Sequence, residues 1–164
     1  ACGLTNSMAD RVYRTLVAAC TTGDIEAFVR ANPYALIDLV QNFGWAGADA
    51  VATRLRIAPN APVRIAAGWR HALRVVEDAG STAATVTCAL WGGVTEREPG
   101  VLRILGLPEA VVRNALAALI AQGAIVVASG ADTIGDDRML QRRATAAAEA
   151  TIARCLAGAG RAIS

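Results

Sequence analysis

The sequence predicts a mainly α-helical fold with one short β-hairpin, and three observations carry that reading. Apolar residues recur at helical spacing through most of the chain, and capping residues stand at the segment starts. Glycine and proline punctuate the helical segments at short intervals. One compact run, Ala124-Ile125-Val126-Val127, has the β-branched character of a strand.

After an irregular lead-in over residues 1–7, Met8 to Cys20 places Met8, Val12, Leu16 and Ala19 on one helical face. Thr21-Thr22-Gly23 breaks that pattern, and Asp24 reads as the cap of a short helix from Ile25 to Ala31. Asn32-Pro33 repeats the start signal, Asn as cap and Pro at the first position, for a helix from Tyr34 to Val40. Gln41 to Gly47 is a tight polar and glycine turn holding Phe43 and Trp45. Ala48 to Leu55 follows as a helix whose Ala48, Ala50 and Ala52 let it approach its neighbour closely, so the pair forms a helical hairpin. Pro59, Asn60 and Pro62 mark a loop, and Val63 to Ala79 is a longer helix ending at Gly80, a left-handed C-terminal glycine.

The second half changes character. Ser81 to Trp91 reads as helix, with Thr85-Val86-Thr87 as an alternative strand. Gly92-Gly93 is a turn, Pro99 to Leu105 a short helix, and Pro108 opens a helix through Gln122 that Gly123 ends. The strand Ala124–Val127 is expected to turn at Ser129–Asp132 and pair with Thr133-Ile134. Helix, helix, β-hairpin is the order of a winged-helix-like unit. Asp136-Asp137 then cap a long final helix, Arg138 to Leu156, with an acidic start and Arg154 near its end, as the helix dipole favours. Three regions result: a helix-hairpin-helix bundle over residues 1–80, a winged-helix-like unit over 81–136, and a C-terminal helix over 137–164.

Composition narrows the chemistry. The chain has 164 residues and 54 % apolar content, enough for a core and too much for a disordered tail. All 16 basic residues are arginine. Without lysine, neither a P-loop nor a Schiff-base site is complete. The single histidine, His71, excludes an HExxH zinc site. Glu96 and Glu98, two apart, diverge on a helix and face no second acidic pair. No catalytic residue, metal ligand or cofactor site is therefore expected in this chain. The four cysteines, Cys2, Cys20, Cys88 and Cys155, lie far apart, which argues against a disulfide scaffold. Ala115 to Ala128, the most apolar segment, falls short of the roughly 20 residues a spanning helix needs. No membrane partner is expected, and the expected setting is cytoplasmic. A net charge of +2 permits nucleic-acid binding without arguing for it.

The turn around Gly44 carries the most chemistry. Glycine in a hairpin brings backbone N–H groups to the surface, and with the N-terminus of the next helix these can hold a phosphate oxygen without reading bases. The candidate DNA-contacting set is Asn42, Phe43, Gly44, Trp45 and Gly47, with Arg54 and Arg56 just beyond as possible phosphate partners. A purely structural helix–helix turn with solvated arginines is the competing reading. Phe43 and Trp45 either stack on bases or plug into the bundle, and Trp69 and Trp91 read as core or interface residues. Arg64 is expected to pair with Asp38 or Asp49, and His71 to lie on a polar helix face.

An ordered series of motifs gives these residues a context: Asn32-Pro33-Tyr34-Ala35-Leu36, then Phe43-Gly44-Trp45-Ala46-Gly47-Ala48-Asp49-Ala50-Val51-Ala52, then Leu55-Arg56-Ile57, then Pro62-Val63-Arg64-Ile65-Ala66-Ala67-Gly68. The series resembles the accessory region of RecD/TraA-type superfamily 1 DNA helicases, whose pattern runs approximately NPY-x-L, GIGF-x-x-AD-x-IA, LGI, P-x-RI-x-AG. Leu116 to Val127 and Ala148 to Ala153 are similar to later segments of that family. Asn42 stands where the family has its first hairpin glycine, and Gly80-Ser81-Thr82 where it has Gly-His-Thr. Asparagine tolerates a left-handed backbone, so the turn is expected to survive. The resemblance implies a DNA-binding accessory module that contacts single-stranded or forked DNA through its backbone. The helicase core, with its ATP and Mg²⁺, is expected in cis beyond residue 164, so this chain is expected to be a fragment or lone domain without activity of its own. A protein-interaction or scaffold module is the alternative. In the winged-helix-like half, one arginine, Arg113, on the would-be recognition helix argues against groove reading. Arg138, Arg142 and Arg143 read as a basic cluster at the start of the final helix, with Arg138 and Arg142 on one face.

Overall fold

The computed structural model describes residues 6–19, 24–92, 99–128 and 138–161. The chain divides into two compact units, Ala1–Ala67 and Gly68–Ser164.

In the first unit, α1 (Asn6–Ala19) and α2 (Ile25–Ala31) precede a 3-10 turn, Pro33–Ala35, that runs into the short helix α3 (Leu36–Leu39). After the hairpin come α4 (Trp45–Arg54) and the opening of α5 (Pro62–Asp78). The expected caps are present. The Ala27 N–H donates to Asp24 Oδ1 at 2.9 Å, and the Tyr34 N–H to Asn32 Oδ1 at 3.2 Å. The Asn-Pro signal thus opens a 3-10 turn before the α-helix proper. Leu16, Leu36, Val40, Phe43 and Val51 form the core, with Ala48 and Ala52 buried among them. Ala50 faces solvent, so only two of the three small residues serve the close approach. Helix α4 begins at Trp45, earlier than the expected Ala48.

The second unit holds the rest of α5, then β1 (Ala84–Thr85), α6 (Val86–Trp91), α7 (Val101–Leu105), α8 (Glu109–Ala121), β2 (Ile125–Val127), β3 (Met139–Arg142) and α9 (Arg143–Arg161). The ambiguous stretch before Trp91 is both strand and helix, with Thr85 as the hinge. Its Oγ1 accepts the Cys88 N–H at 3.1 Å and caps α6. The strands form an antiparallel sheet in the order β1-β3-β2, with Val127 opposite Leu140 and Ile125 opposite Arg142. Helices leading into an antiparallel pair of strands give the expected winged-helix-like order. Gly68 serves a close approach: a Cβ there would lie 2.7 Å from Leu105 Cδ2, so only glycine lets α7 seat against α5. Gly80 and Gly123 take positive φ, as their helix-ending positions require.

Several sequence expectations are corrected here. Among the described residues β2 pairs with Met139–Arg142; Thr133-Ile134, expected as its partner, lies outside them. The final helix begins at Arg143, not Arg138, and its first turn holds no acidic residue. Arg142 therefore ends a strand and does not share a helix face with Arg138. Pairing with two neighbouring strands overrides the local helical spacing. Of the two tryptophans expected in a core or an interface, Trp69 is fully buried with Nε1 donating to the Val112 carbonyl at 3.2 Å, and Trp91 is 62 % exposed, which removes only the core alternative for it. Thr21–Gly23, Glu96, Glu98, Ser129–Ile134 and Asp136-Asp137 lie outside the described residues. Among the described residues, Cys88 and Cys155 are free thiols, and no helix is long and apolar enough to cross a membrane.

Candidate nucleic-acid interface

The hairpin is built by a turn and a helix start. The Val40 N–H closes α3 onto the Leu36 carbonyl at 3.0 Å, and the Phe43 N–H then donates to the Val40 carbonyl at 3.0 Å. That turn needs one left-handed residue, and Asn42 supplies it with φ 62°. Gly44 does not: its φ of −85° and ψ of 177° are ordinary extended backbone at the N-cap of α4. The positive φ thus falls at Asn42, the position of the family's first hairpin glycine, as asparagine allows. What Gly44 contributes is space. A Cβ built there would meet nothing within 4 Å.

The first bond within α4 runs from the Ala48 N–H to the Gly44 carbonyl at 3.2 Å. Backbone amides ahead of it point out of the helix end, where the helix dipole places partial positive charge. No side chain caps that end from Gly44. Asn42, Gly44 and Ala46 are exposed, and Gly47 is half-buried.

Phe43 takes the plugging role of the two considered for it. Phe43 is 4 % exposed, with its ring against Gly47, where a Cβ would lie 3.3 Å from the ring. As a DNA-contacting side chain it is corrected: it is the plug that seats the hairpin in the core. Trp45 is half-buried and stacks on Tyr34, ring centroids 5.2 Å apart and planes 21° apart. The Arg64 guanidinium lies 5.9 Å from the centre of the Trp45 ring.

Beneath this sits an ion pair that the sequence narrowed to two candidates, and the partner is Asp49. Arg64 forks onto it, Nε to Oδ1 at 2.8 Å and Nη2 to Oδ2 at 3.0 Å, while Nη1 donates to the Pro59 carbonyl at 3.0 Å. The Tyr34 hydroxyl donates to Asp49 Oδ1 at 2.6 Å. Burial would raise the Asp49 carboxyl, but the hydrogen bonds from Arg64 and Tyr34, with the Arg64 charge, hold it below its ordinary value. The hydrogen bond to Asp49 raises Arg64 against burial, and burial followed by that same carboxylate raises Tyr34.

Arg54 and Arg56 are exposed at the far end of α4, about 14 Å from its start at 1.5 Å per residue. Arg56 sits at φ 59°, its N–H on the Thr53 carbonyl and the Ile57 N–H on that of Ala52. That is a helix-ending motif in which glycine is usual, so an arginine holds the glycine-like position of the LGI pattern. Arg11 was not legible from the sequence. It reaches from α1 to the Gln41 carbonyl at 3.4 Å, beside the turn but thirty positions upstream, where no local pattern points to it.

The arrangement is that of a helix-hairpin-helix module: two helices joined by a glycine turn, with one face sealed in the core. The family described as "ATP-dependent RecD2 DNA helicase HHH domain" matches residues 1–83, half of the chain, and the chain belongs to that family. The matched residues are thus the helix-hairpin-helix accessory domain of a DNA helicase. No curated protein matches the chain. The similarities at Leu116–Val127 and Ala148–Ala153 lie outside the matched residues.

Proposed function

We propose that this module holds DNA by its backbone, without reading sequence, for a helicase core that lies in cis and binds the ATP and Mg²⁺. The observation that carries the reading is the exposed glycine start of α4, where Gly44 is the N-cap and nothing packs within 4 Å of its Cβ position. An anion is the natural occupant of such a helix end. Arg54 and Arg56, at the far end of α4, would reach further along the same strand. Single-stranded or forked DNA is the proposed form, with Phe43 serving only to seat the turn in the core. The bundle over residues 1–80 does the contacting, and the winged-helix-like unit over 81–136 and the helix that follows connect towards the core. On α8, the Arg113 Nε donates to Glu109 at 2.5 Å, which favours a spacer there over a groove reader. Fluorescence titration with short forked DNA tests the proposal: binding at ~50 mM salt that weakens as salt rises supports it. No binding at that salt rejects it.

A protein-docking role is the second reading, favoured by the exposed Trp91. Size-exclusion chromatography with light scattering, and titration against a purified helicase core, would show it.

A further inference from the structure

We infer that Asp49 and Arg64 are positioning residues for the hairpin, their ion pair setting the direction in which the Gly44–Gly47 amides face without touching the ligand. The inference rests on the proposed backbone-binding role for what those amides hold, but the clamp itself is read from geometry alone.

Arg64 is a cation turned inward. Its side chain is 12 % exposed; Nε and Nη2 are both committed to Asp49, and Nη1 is committed to the Pro59 carbonyl. A phosphate cannot engage it without dismantling the fork, so any influence of Arg64 on binding is indirect. The path of that influence is short. Trp45 is the first residue of α4, next to Gly44, and Asp49 lies one turn on along the same face. Tyr34 grips both, stacking on the Trp45 ring and donating to the Asp49 carboxylate. Arg64 grips both from α5, over the ring and onto the carboxylate. Two separate segments thus hold the first turn and a half of α4, while the Phe43 ring braces it at Gly47. Lysine, a single point charge, cannot reproduce a two-oxygen fork that also stacks on a ring.

Positioning and plain electrostatics predict opposite signs for one substitution. Asp49→Asn removes a negative charge one turn from an anion site, which by charge alone tightens binding. If the clamp positions the amides, it weakens binding. The full 164-residue chain is titrated with fluorescent forked DNA across a salt series as wild type, Asp49→Asn, Arg64→Lys and Tyr34→Phe. Each variant is first checked for folding by near-UV circular dichroism. The expected result is a loss of about tenfold for Asp49→Asn and Arg64→Lys, the scale on which losing an orienting partner acts around other sites. Tyr34→Phe, which keeps the stacked ring, should weaken binding less and in the same direction. The slope of log K against log salt should stay unchanged, because no phosphate contact is lost.

Tighter binding by Asp49→Asn, wild-type binding by Arg64→Lys, or a slope reduced by about 0.9 would each overturn the inference. The backbone resonances of Gly44, Ala46 and Gly47, recorded without DNA, give a second readout. They should shift in Arg64→Lys and Asp49→Asn, and unchanged resonances sink the clamp whatever the titrations show. Failure of the wild type to bind DNA at all would instead remove the proposed function and leave the resonance test standing.

Discussion

Each unit of this chain is tied by a carboxylate that gathers an arginine and a hydroxyl, yet the two ties hold very different things. In the first unit Asp49 accepts from Arg64 and Tyr34 and steadies a helix start that faces solvent. In the second, Glu77 accepts from Arg142, and from the Thr145 hydroxyl at 2.5 Å, and pins the end of β3 and the start of α9 to α5. Side-chain burial is similar, 12 % and 25 % exposed for Arg64 and Asp49 against 27 % and 14 % for Arg142 and Glu77. The ion pair is therefore no mark of function in itself. What separates the two is how each helix begins: beside Asp49, α4 begins after an exposed glycine with nothing within 4 Å of its Cβ position, and beside Glu77, α9 runs on directly from strand β3.

The largest effect expected from that contrast is on binding. Gly44→Glu should abolish DNA binding, while stability stays within about 0.5 kcal/mol of wild type because the site has room for a side chain. Titration and urea denaturation together check it. Next, Arg64→Ala and Arg142→Ala should each cost about 3 kcal/mol, since each strands a partly buried carboxylate. Only the first should also weaken DNA binding in protein that is still folded at the temperature of the titration. Equal loss of binding in both would erase the distinction between the ties.

Acid should separate the units as well. Burial, aided by the Arg74 charge, lowers His71 in the second unit, so the unfolded chain takes up a proton before the folded one. The stability His71 contributes is present above about pH 6.5 and falls as pH drops through its lower folded value. Asp49, also lowered in the fold, contributes stability that is full above about pH 4 and is lost only below it. Urea melts at pH 7 and pH 5 should show a loss that His71→Gln removes and Asp49→Asn does not. The smallest expected effect belongs to Arg56. Arg56→Gly should stabilise the chain by about 1 kcal/mol by relieving a left-handed arginine. It should also lower the salt slope by about 0.9 if that arginine meets a phosphate.

Much of the fold was legible because its signals are local. Asp24, Asn32-Pro33, Gly80 and Gly123 mark ends that backbone geometry requires, and they stand where the spacing put them. The errors came where distant segments decide. Helix α4 starts early because Tyr34 and Phe43 anchor Trp45 and Gly47 from outside the helix, offsetting the poor helix propensity of glycine. Strand β3 reads as helix because Asp136-Asp137 look like a cap, while the pairing of Leu140 with both Ala84 and Val127 is invisible along the chain. At the site, the hairpin and the Asp49 alternative for Arg64 were readable from residue types. The burial of Phe43, the fork geometry and the approach of Arg11 needed three-dimensional packing.

The emptiness around Gly44 has a consequence for how this position tolerates change. Neither its dihedral angles nor its surroundings demand glycine. A library randomised at residue 44 and sorted only for folded protein should accept most amino acids. The same library sorted for retention on immobilised DNA should collapse to glycine, and the gap between the two profiles would measure how much of that residue's identity is owed to something outside the chain.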